Sequence, residues 1–256
     1  MVGRFPHVAA VAVTLLLATA ACGTDTEAPS NGESGSVVVF AAASLTESFG
    51  ELQTALKSST PGLSVTYSFA GSGALVTQVQ QGAPADVIAT ADTASMSRLT
   101  DGGLVETPVV FARNRLEILV EPGNPKRISG LSDLSRTDIK LVLGDETVPF
   151  GRFSAQALQA AGVAADPVSK EPDVKAAVAK VTSGEADVAI VYVTDVAAAG
   201  SRGQGVEIPD DQNVVIEYPI AIVKTTGNRP AAVAFVDAVV EGRGQGILQE
   251  NGFLAG

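Results

Sequence analysis

Val37-Val38-Val39-Phe40-Ala41-Ala42-Ala43-Ser44-Leu45-Thr46-Glu47-Ser48-Phe49 decides the architecture, because it passes from a β-rich apolar run through a loop of small residues into helical spacing. Apolar side chains at Leu45, Phe49, Leu52 and Leu56 recur every three to four residues, the period of one helix face. The same order returns downstream. A strand is predicted over Leu63–Phe69, a loop over Ala70–Gly73 and a helix over Ala74–Gln81, with Gly82 placed to cap it. A third strand follows at Asp86–Ala89. Beyond the middle come a strand at Lys140–Leu143, a loop through Gly151, helices at Phe153–Ala161 and Asp173–Val181, and a strand at Asp187–Tyr192. Such alternation predicts an α/β chain whose sheets are mostly parallel and flanked by helices. Two longer β segments, Leu116–Val120 and Val214–Val223, bracket the central part and predict two crossings between lobes. Residues 37–113 and 217–256 then form the first lobe, completed by helices between Pro230 and Gln249, and residues 114–216 form the second.

Working outward, the chain opens with Arg4 and an uncharged, mostly apolar run from Val8 to Ala21, too short to span a bilayer comfortably. Residues 1–21 therefore read as an export signal. Thr19-Ala20-Ala21-Cys22 resembles a lipobox, after which Cys22 would carry lipid and anchor the protein on the outer face of the cytoplasmic membrane; Ala18-Thr19-Ala20 offers the alternative of an ordinary cleavage site and a soluble periplasmic or secreted product. Residues 22–36, nearly all small, polar or acidic, read as a tether.

Composition removes several classes of chemistry. Cys22 is the single cysteine, so an intrachain disulfide or a multi-cysteine metal site has no ligands. His7 is the single histidine and lies in the signal, which excludes a Ser-His-Asp triad and histidine-ligated metal from the mature chain. A formal charge of −11 and the absence of Trp speak against nucleic acid and base- or sugar-stacking platforms. Hydrophobic residues make up 46% of the chain, enough to build one large or two medium cores.

The informative loops stand where a strand's carboxyl end meets a helix amino terminus, the ligand position of open α/β sheets. Unpaired N–H groups and the helix dipole favour an anion there. Ser44 opens one such helix, although Ser44-Leu45-Thr46-Glu47 also fits a capping box that needs no ligand. Ser72 lies in Gly71-Ser72-Gly73, a flexible turn or a nest of N–H groups, without the Gly-Lys-Ser/Thr of a P-loop.

Taken in order, Ala41-Ala42-Ala43-Ser44-Leu45-Thr46, Ser68-Phe69-Ala70-Gly71-Ser72-Gly73, Gly82-Ala83-Pro84-Ala85-Asp86-Val87, Val148-Pro149-Phe150-Gly151, Ala189-Ile190-Val191-Tyr192, Glu217-Tyr218-Pro219 and Asn251-Gly252-Phe253 resemble the periplasmic molybdate-binding protein family. The likeness runs from Val37 to Phe253. It implies a two-lobed, hinge-closing periplasmic binding fold of type II that buries molybdate, and tungstate with it, for delivery to the permease and ATPase subunits of an ABC importer. It implies a monomer, no cofactor, and molybdenum held as the oxyanion without protein–metal bonds. The ligand groups it implies are the hydroxyls and N–H groups of Ser44 and Ser72, the N–H groups of Phe150 and Val174, and the Tyr192 hydroxyl. Phe150 stands where the family commonly has a small residue, and Pro172-Asp173-Val174 where it often has acid-Asp-Val. Val174 also reads as a buried aliphatic and Tyr192 as a strand-end tyrosine. Asp86 and Glu217 read as structural.

The chemistry agrees with that reading. A fully deprotonated dianion needs donors and no acceptor, which hydroxyls and peptide N–H groups supply without desolvating a lysine or arginine. The rival readings are a sulfate or other oxyanion binder, a ferric-ion binder, an enzyme with Ser44 as nucleophile, and an adhesin. Tyr67, Tyr192 and Tyr218 are scattered along the chain, which argues against iron, and Ser44 has no base partner or Gly-x-Ser-x-Gly elbow. Arg113, Arg115 and Arg152 are the cations to suspect of steering an anion.

Overall fold

The computed structural model describes residues 35–256, so residues 1–21, read as an export signal, and Cys22 lie outside the described residues. Eleven strands are present: β1 (Gly35–Ala42), β2 (Leu63–Ala70), β3 (Val87–Ala89), β4 (Val109–Asn114), β5 (Leu116–Val120), β6 (Leu141–Gly144), β7 (Ser169–Glu171), β8 (Val188–Tyr192), β9 (Gln204–Glu207), β10 (Ile216–Ile222) and β11 (Leu254–Ala255). The helices are α1 (Thr46–Ser59), α2 (Ser72–Gln80), α3 (Thr93–Asp101), α4 (Pro149–Ala160), α5 (Val174–Thr182), α6 (Val193–Ala199), α7 (Arg229–Val240) and α8 (Arg243–Glu250).

Two sheets form, one in the order β11-β4-β10-β3-β1-β2 and the other β7-β6-β8-β5-β9. The first sheet is buried on both faces, and alternation along its strands sorts the side chains. Val39, Val87, Ala89, Ile220 and Ile222 join one cluster, which also holds Phe49, Leu52, Leu56 and Phe235 of α1 and α7. Their neighbours Phe40, Ile88 and Ala221 point the other way, onto Leu75, Val76 and Val79 of α2 and Met96 and Leu99 of α3. This two-sided burial is why the strands read as continuous apolar runs.

The chain crosses between the sheets twice, at Arg115 between β4 and β5 and again between β9 and β10. Asn213 ties the crossings together: its amide donates to the Leu116 carbonyl (2.8 Å) and accepts from the Leu116 N–H (3.0 Å). Asn114 and Ile216, both assigned to the second lobe by the sequence, pair with each other in the first sheet.

Several local expectations are corrected. Each sheet is parallel through only half its width: β1, β2 and β3 run together, as do β6, β7 and β8, while the crossing strands β10 and β5 enter antiparallel. A strand arriving from the other lobe needs no right-handed crossover helix, and so is free to pair antiparallel. Gly35 and Ser36, read as tether, already pair with Leu63 and Ser64. Helix α4 begins at Pro149 rather than Phe153, since a proline at the first helical position forfeits an N–H that has no helical partner anyway. Helix α3, too polar to announce itself, is fixed by the Asp92 carboxylate, which accepts from the Ser95 N–H at 2.8 Å. Among the described residues no helix is long and apolar enough to cross a membrane.

Candidate functional site

β1 and β2 run in parallel register from Gly35 opposite Leu63 to Ala42 opposite Ala70. Both strands therefore end at one level, and Ser44 and Ser72 lie two residues beyond their ends. In the second sheet β6 leads into α4, β7 into α5, and β8 ends on Tyr192. These five chain segments meet. A cavity of about 20 Å³ is lined by Ala42, Ala43, Ser44, Ala70, Gly71, Ser72, Ala91, Val148, Pro149, Phe150, Asp173, Val174 and Tyr192. It is little larger than the space one buried water needs. All five candidate positions, Ser44, Ser72, Phe150, Val174 and Tyr192, line it.

The lining is made of helix beginnings. Gly71 and Ser72 start α2, Val148 to Phe150 start α4, and Asp173 and Val174 start α5. The first N–H groups of each helix have no carbonyl partner within it, and three dipoles present their positive ends to one small volume. Asp173, the one acid in the lining, accepts from the Ala176 N–H at 3.0 Å, so its carboxylate caps its own helix.

Ser44 does not form the capping box that was its alternative reading. It lies in a 3₁₀ turn, Ala43–Leu45, ahead of α1, and its buried hydroxyl is 3.0 Å from the Tyr218 hydroxyl. The Ser72 hydroxyl accepts from the Ala91 N–H at 3.0 Å, leaving its proton free to donate. Tyr192 is different. It is 1% exposed, and its hydroxyl has no hydrogen-bond partner. Burial pushes that hydroxyl's pKa well above the tyrosine range, so it remains a donor. The rings of Tyr192 and Tyr218 meet edge to face at 6.0 Å, which corrects the reading of three scattered tyrosines.

Two glycines let backbones approach where a side chain would not fit. A Cβ on Gly71 would stand 2.4 Å from the Pro172 carbonyl oxygen, and one on Gly151 2.0 Å from that of Asp145. The first contact spans the two lobes, and the second holds the start of α4 against its own loop.

Charge lies one step behind the lining. Arg152 of α4 pairs with Asp92, which is 2% exposed. Lys175 of α5 reaches Glu47 of α1 at 2.6 Å and the fully buried Asp195 of α6 at 2.9 Å. Burial raises the Asp195 carboxyl to about 6, with Lys175 opposing the rise. Sequence reading named Arg152 only as a possible steering cation and did not find Asp92, Lys175 or Asp195; the register of Lys175 one residue after Val174 was the available signal. Arg113 and Arg115 pair instead with Glu217 (3.3 Å) and Asp210 (2.7 Å), away from the lining. Asp86 is structural: its carboxylate accepts from the Val38 N–H (2.8 Å) and the Thr226 hydroxyl (2.6 Å). Among the described residues no group of three or more His, Cys, Asp or Glu side chains is placed to hold a metal ion.

The family described as bacterial extracellular solute-binding protein matches residues 37–254. The molybdate-binding protein ModA of Mycobacterium tuberculosis is 38% identical over 248 residues, 95% of each chain. ModA of Escherichia coli is 32% identical over 234 residues, 86% of this chain and 90% of its own. The periplasmic molybdate-binding protein of Azotobacter vinelandii superposes with a TM-score of 0.74 at 21% identity, over 86% of this chain and 99% of that one, a likeness of fold.

Proposed function

The chain belongs to the bacterial extracellular solute-binding protein family, and we propose that it captures molybdate, with tungstate as a second ligand, between its two lobes and delivers it to an ABC importer. The observation that carries this reading is the Tyr192 hydroxyl, buried, protonated and without a partner at the wall of a cavity rimmed by helix amino termini. An orphaned donor in such a place is a cost to the empty protein that a ligand oxygen removes. In this reading Ser44 and Ser72 donate hydroxyl and N–H groups, Phe150 and Val174 donate N–H groups alone, and the dianion has no metal–protein bond.

The protein works as a monomer, tethered outside the cell through lipid on Cys22. The names of the relatives support molybdate as the cargo, and donor chemistry supports a fully deprotonated oxyanion. Hydrogen phosphate would bring a proton that the lining has little to accept, a loss of about 1–3 kcal/mol. Sulfate has no such proton, and its rejection rests on size.

Calorimetry and thermal shift on the mature protein with molybdate, tungstate, sulfate and phosphate test the assignment. Molybdate and tungstate are expected to bind far more tightly than sulfate, with phosphate weakest. Ligand at about 100 times its Kd adds about 2.7 kcal/mol to native stability. Equal affinity for sulfate would overturn molybdate as the cargo.

A further inference from the structure

Two of the ion pairs behind the cavity, Arg152–Asp92 and Lys175–Glu47, join opposite lobes, and they divide charge unequally. Glu47 (α1) and Asp92 (ahead of α3) belong to the first lobe, whereas Arg152 (α4) and Lys175 (α5) belong to the second. Each stands close in sequence to a lining residue: Glu47 follows Ser44, Asp92 follows Ala91, Arg152 follows Phe150 and Lys175 follows Val174.

We propose that Arg152 and Lys175 are positioning residues with two successive duties: with the cleft open they make the second lobe the landing face for the oxyanion, and on closure they latch onto Asp92 and Glu47. The inference rests on the proposed function and specifies how that site fills and empties.

Parting the lobes leaves both cations with α4, α5 and Tyr192, and both partner acids with the opposite lobe. The second lobe also retains Asp195 and Asp173, so its half of the site holds two cations against two acids. The first lobe's half is left with Glu47 and Asp92 and no cation from either pair. Helix starts face the site from both lobes, α4 and α5 on the second and α2 and the turn into α1 on the first, so the difference between the faces rests on the charged side chains. An approaching dianion therefore meets a charge-balanced face with two cations on the second lobe and an acidic, repelling face on the first. A chain of net charge −11 thereby gains a local landing point for an anion.

Closure then brings Asp92 and Glu47 onto the cations. Asp92 is almost wholly buried in the closed arrangement, with Arg152 as its charge partner. Removing one member of such a pair strands the other without solvent or counter-charge, and this penalty falls on the closed state alone. Glu47 and Lys175 keep 40% and 25% side-chain exposure, so that latch is the weaker one.

The test is stopped-flow association and dissociation of molybdate at low salt on four variants: Glu47→Gln, Lys175→Met, Asp92→Asn and Arg152→Gln. Asparagine keeps the cap on α3, and Glu47→Gln changes a half-exposed side chain, so neither acid variant relies on a risky fold. All four are expected to speed dissociation, by about 10-fold or more for the Arg152 pair and about 3-fold for the Lys175 pair. Association is expected to split by sign: slower when a cation is removed, faster when an acid is removed. Glu47→Gln combined with Lys175→Met should dissociate no faster than the worse single variant. Association rates that move the same way for cation and acid variants, or dissociation rates unchanged in the acid variants, would overturn the proposal. If the wild type binds no molybdate, the proposed cargo fails first. Small-angle scattering of the unliganded proteins then decides the latch, with a larger radius of gyration in the four variants supporting it and an unchanged radius refuting it.

Discussion

Replacing Gly71 with Ala separates the closed state of the cleft from the fold itself. Gly71 begins α2 with φ −60° and ψ 137°, values that any residue adopts, so its glycine is required for space and not for conformation. The added Cβ would stand 2.4 Å from the Pro172 carbonyl oxygen and 3.2 Å from Val148 Cγ1, both on the other lobe. Ordinary contact begins at 3.4 Å, so the lobes must part locally by 3.4 − 2.4 = 1.0 Å. A carbonyl oxygen cannot rotate aside as a side chain tip can. Overpacking of this size costs about 1–3 kcal/mol, and because it acts only when the lobes meet, it appears as an oxyanion Kd about 5- to 150-fold weaker. The fold of each lobe loses nothing of the kind, since no clash lies within a lobe. Fewer unfolded conformations give it a gain of up to about 1 kcal/mol. Isothermal titration with molybdate, run beside thermal unfolding of the unliganded protein, reads both quantities. Unchanged affinity would refute the reasoning, as would an unliganded melting temperature that fell in step with affinity.

Tyr192→Phe is expected to weaken molybdate binding by about 1–3 kcal/mol without lowering unliganded stability, since its hydroxyl has no protein partner to lose. Ser72→Ala should weaken binding similarly and also destabilise the unliganded fold by about 1–3 kcal/mol, because the Ala91 N–H loses its acceptor; urea melts of the two variants separate them. Phe150→Leu should reduce stability, its ring being 2% exposed, while changing affinity far less than Tyr192→Phe, since only its N–H is assigned to the ligand. For Asp195 the native carboxyl titrates near 6, above its unfolded value, so between about pH 4 and 6 the native state binds the extra proton and stability drains away as pH rises. Subtracting the Asp195→Asn stability profile from that of the wild type should give a curve falling across that window and flat above it; a rising difference would contradict the assignment.

The sequence by itself determined many of the elements and their order. Val37–Phe40 is apolar throughout and bounded by small residues, so its strand was legible, and the helix after it showed in Phe49, Leu52 and Leu56, all buried. The positions of Ser44 and Ser72 ahead of helix starts were equally legible, because a helix boundary is written within a few residues of itself, whereas Phe150, Val174 and Tyr192 came from the family resemblance: the residues alone put the start of α4 at Phe153 and showed no helix after Tyr192. Polar α3 escaped, as its capping by Asp92 has no hydrophobic rhythm behind it. What only the tertiary structure decided is which of these ends meet. Ser44 could also be read as capping its own helix at close range, yet its hydroxyl faces Tyr218 across 174 residues of chain. Lys175 finds Glu47 across 128 residues, and Arg152 finds Asp92 from the other lobe. Local propensity carries no information about such pairs. They are set by the parallel register that brings strand ends to one level, by two crossings that fold one lobe onto the other, and by a glycine at position 71 that leaves room for the lobes to touch.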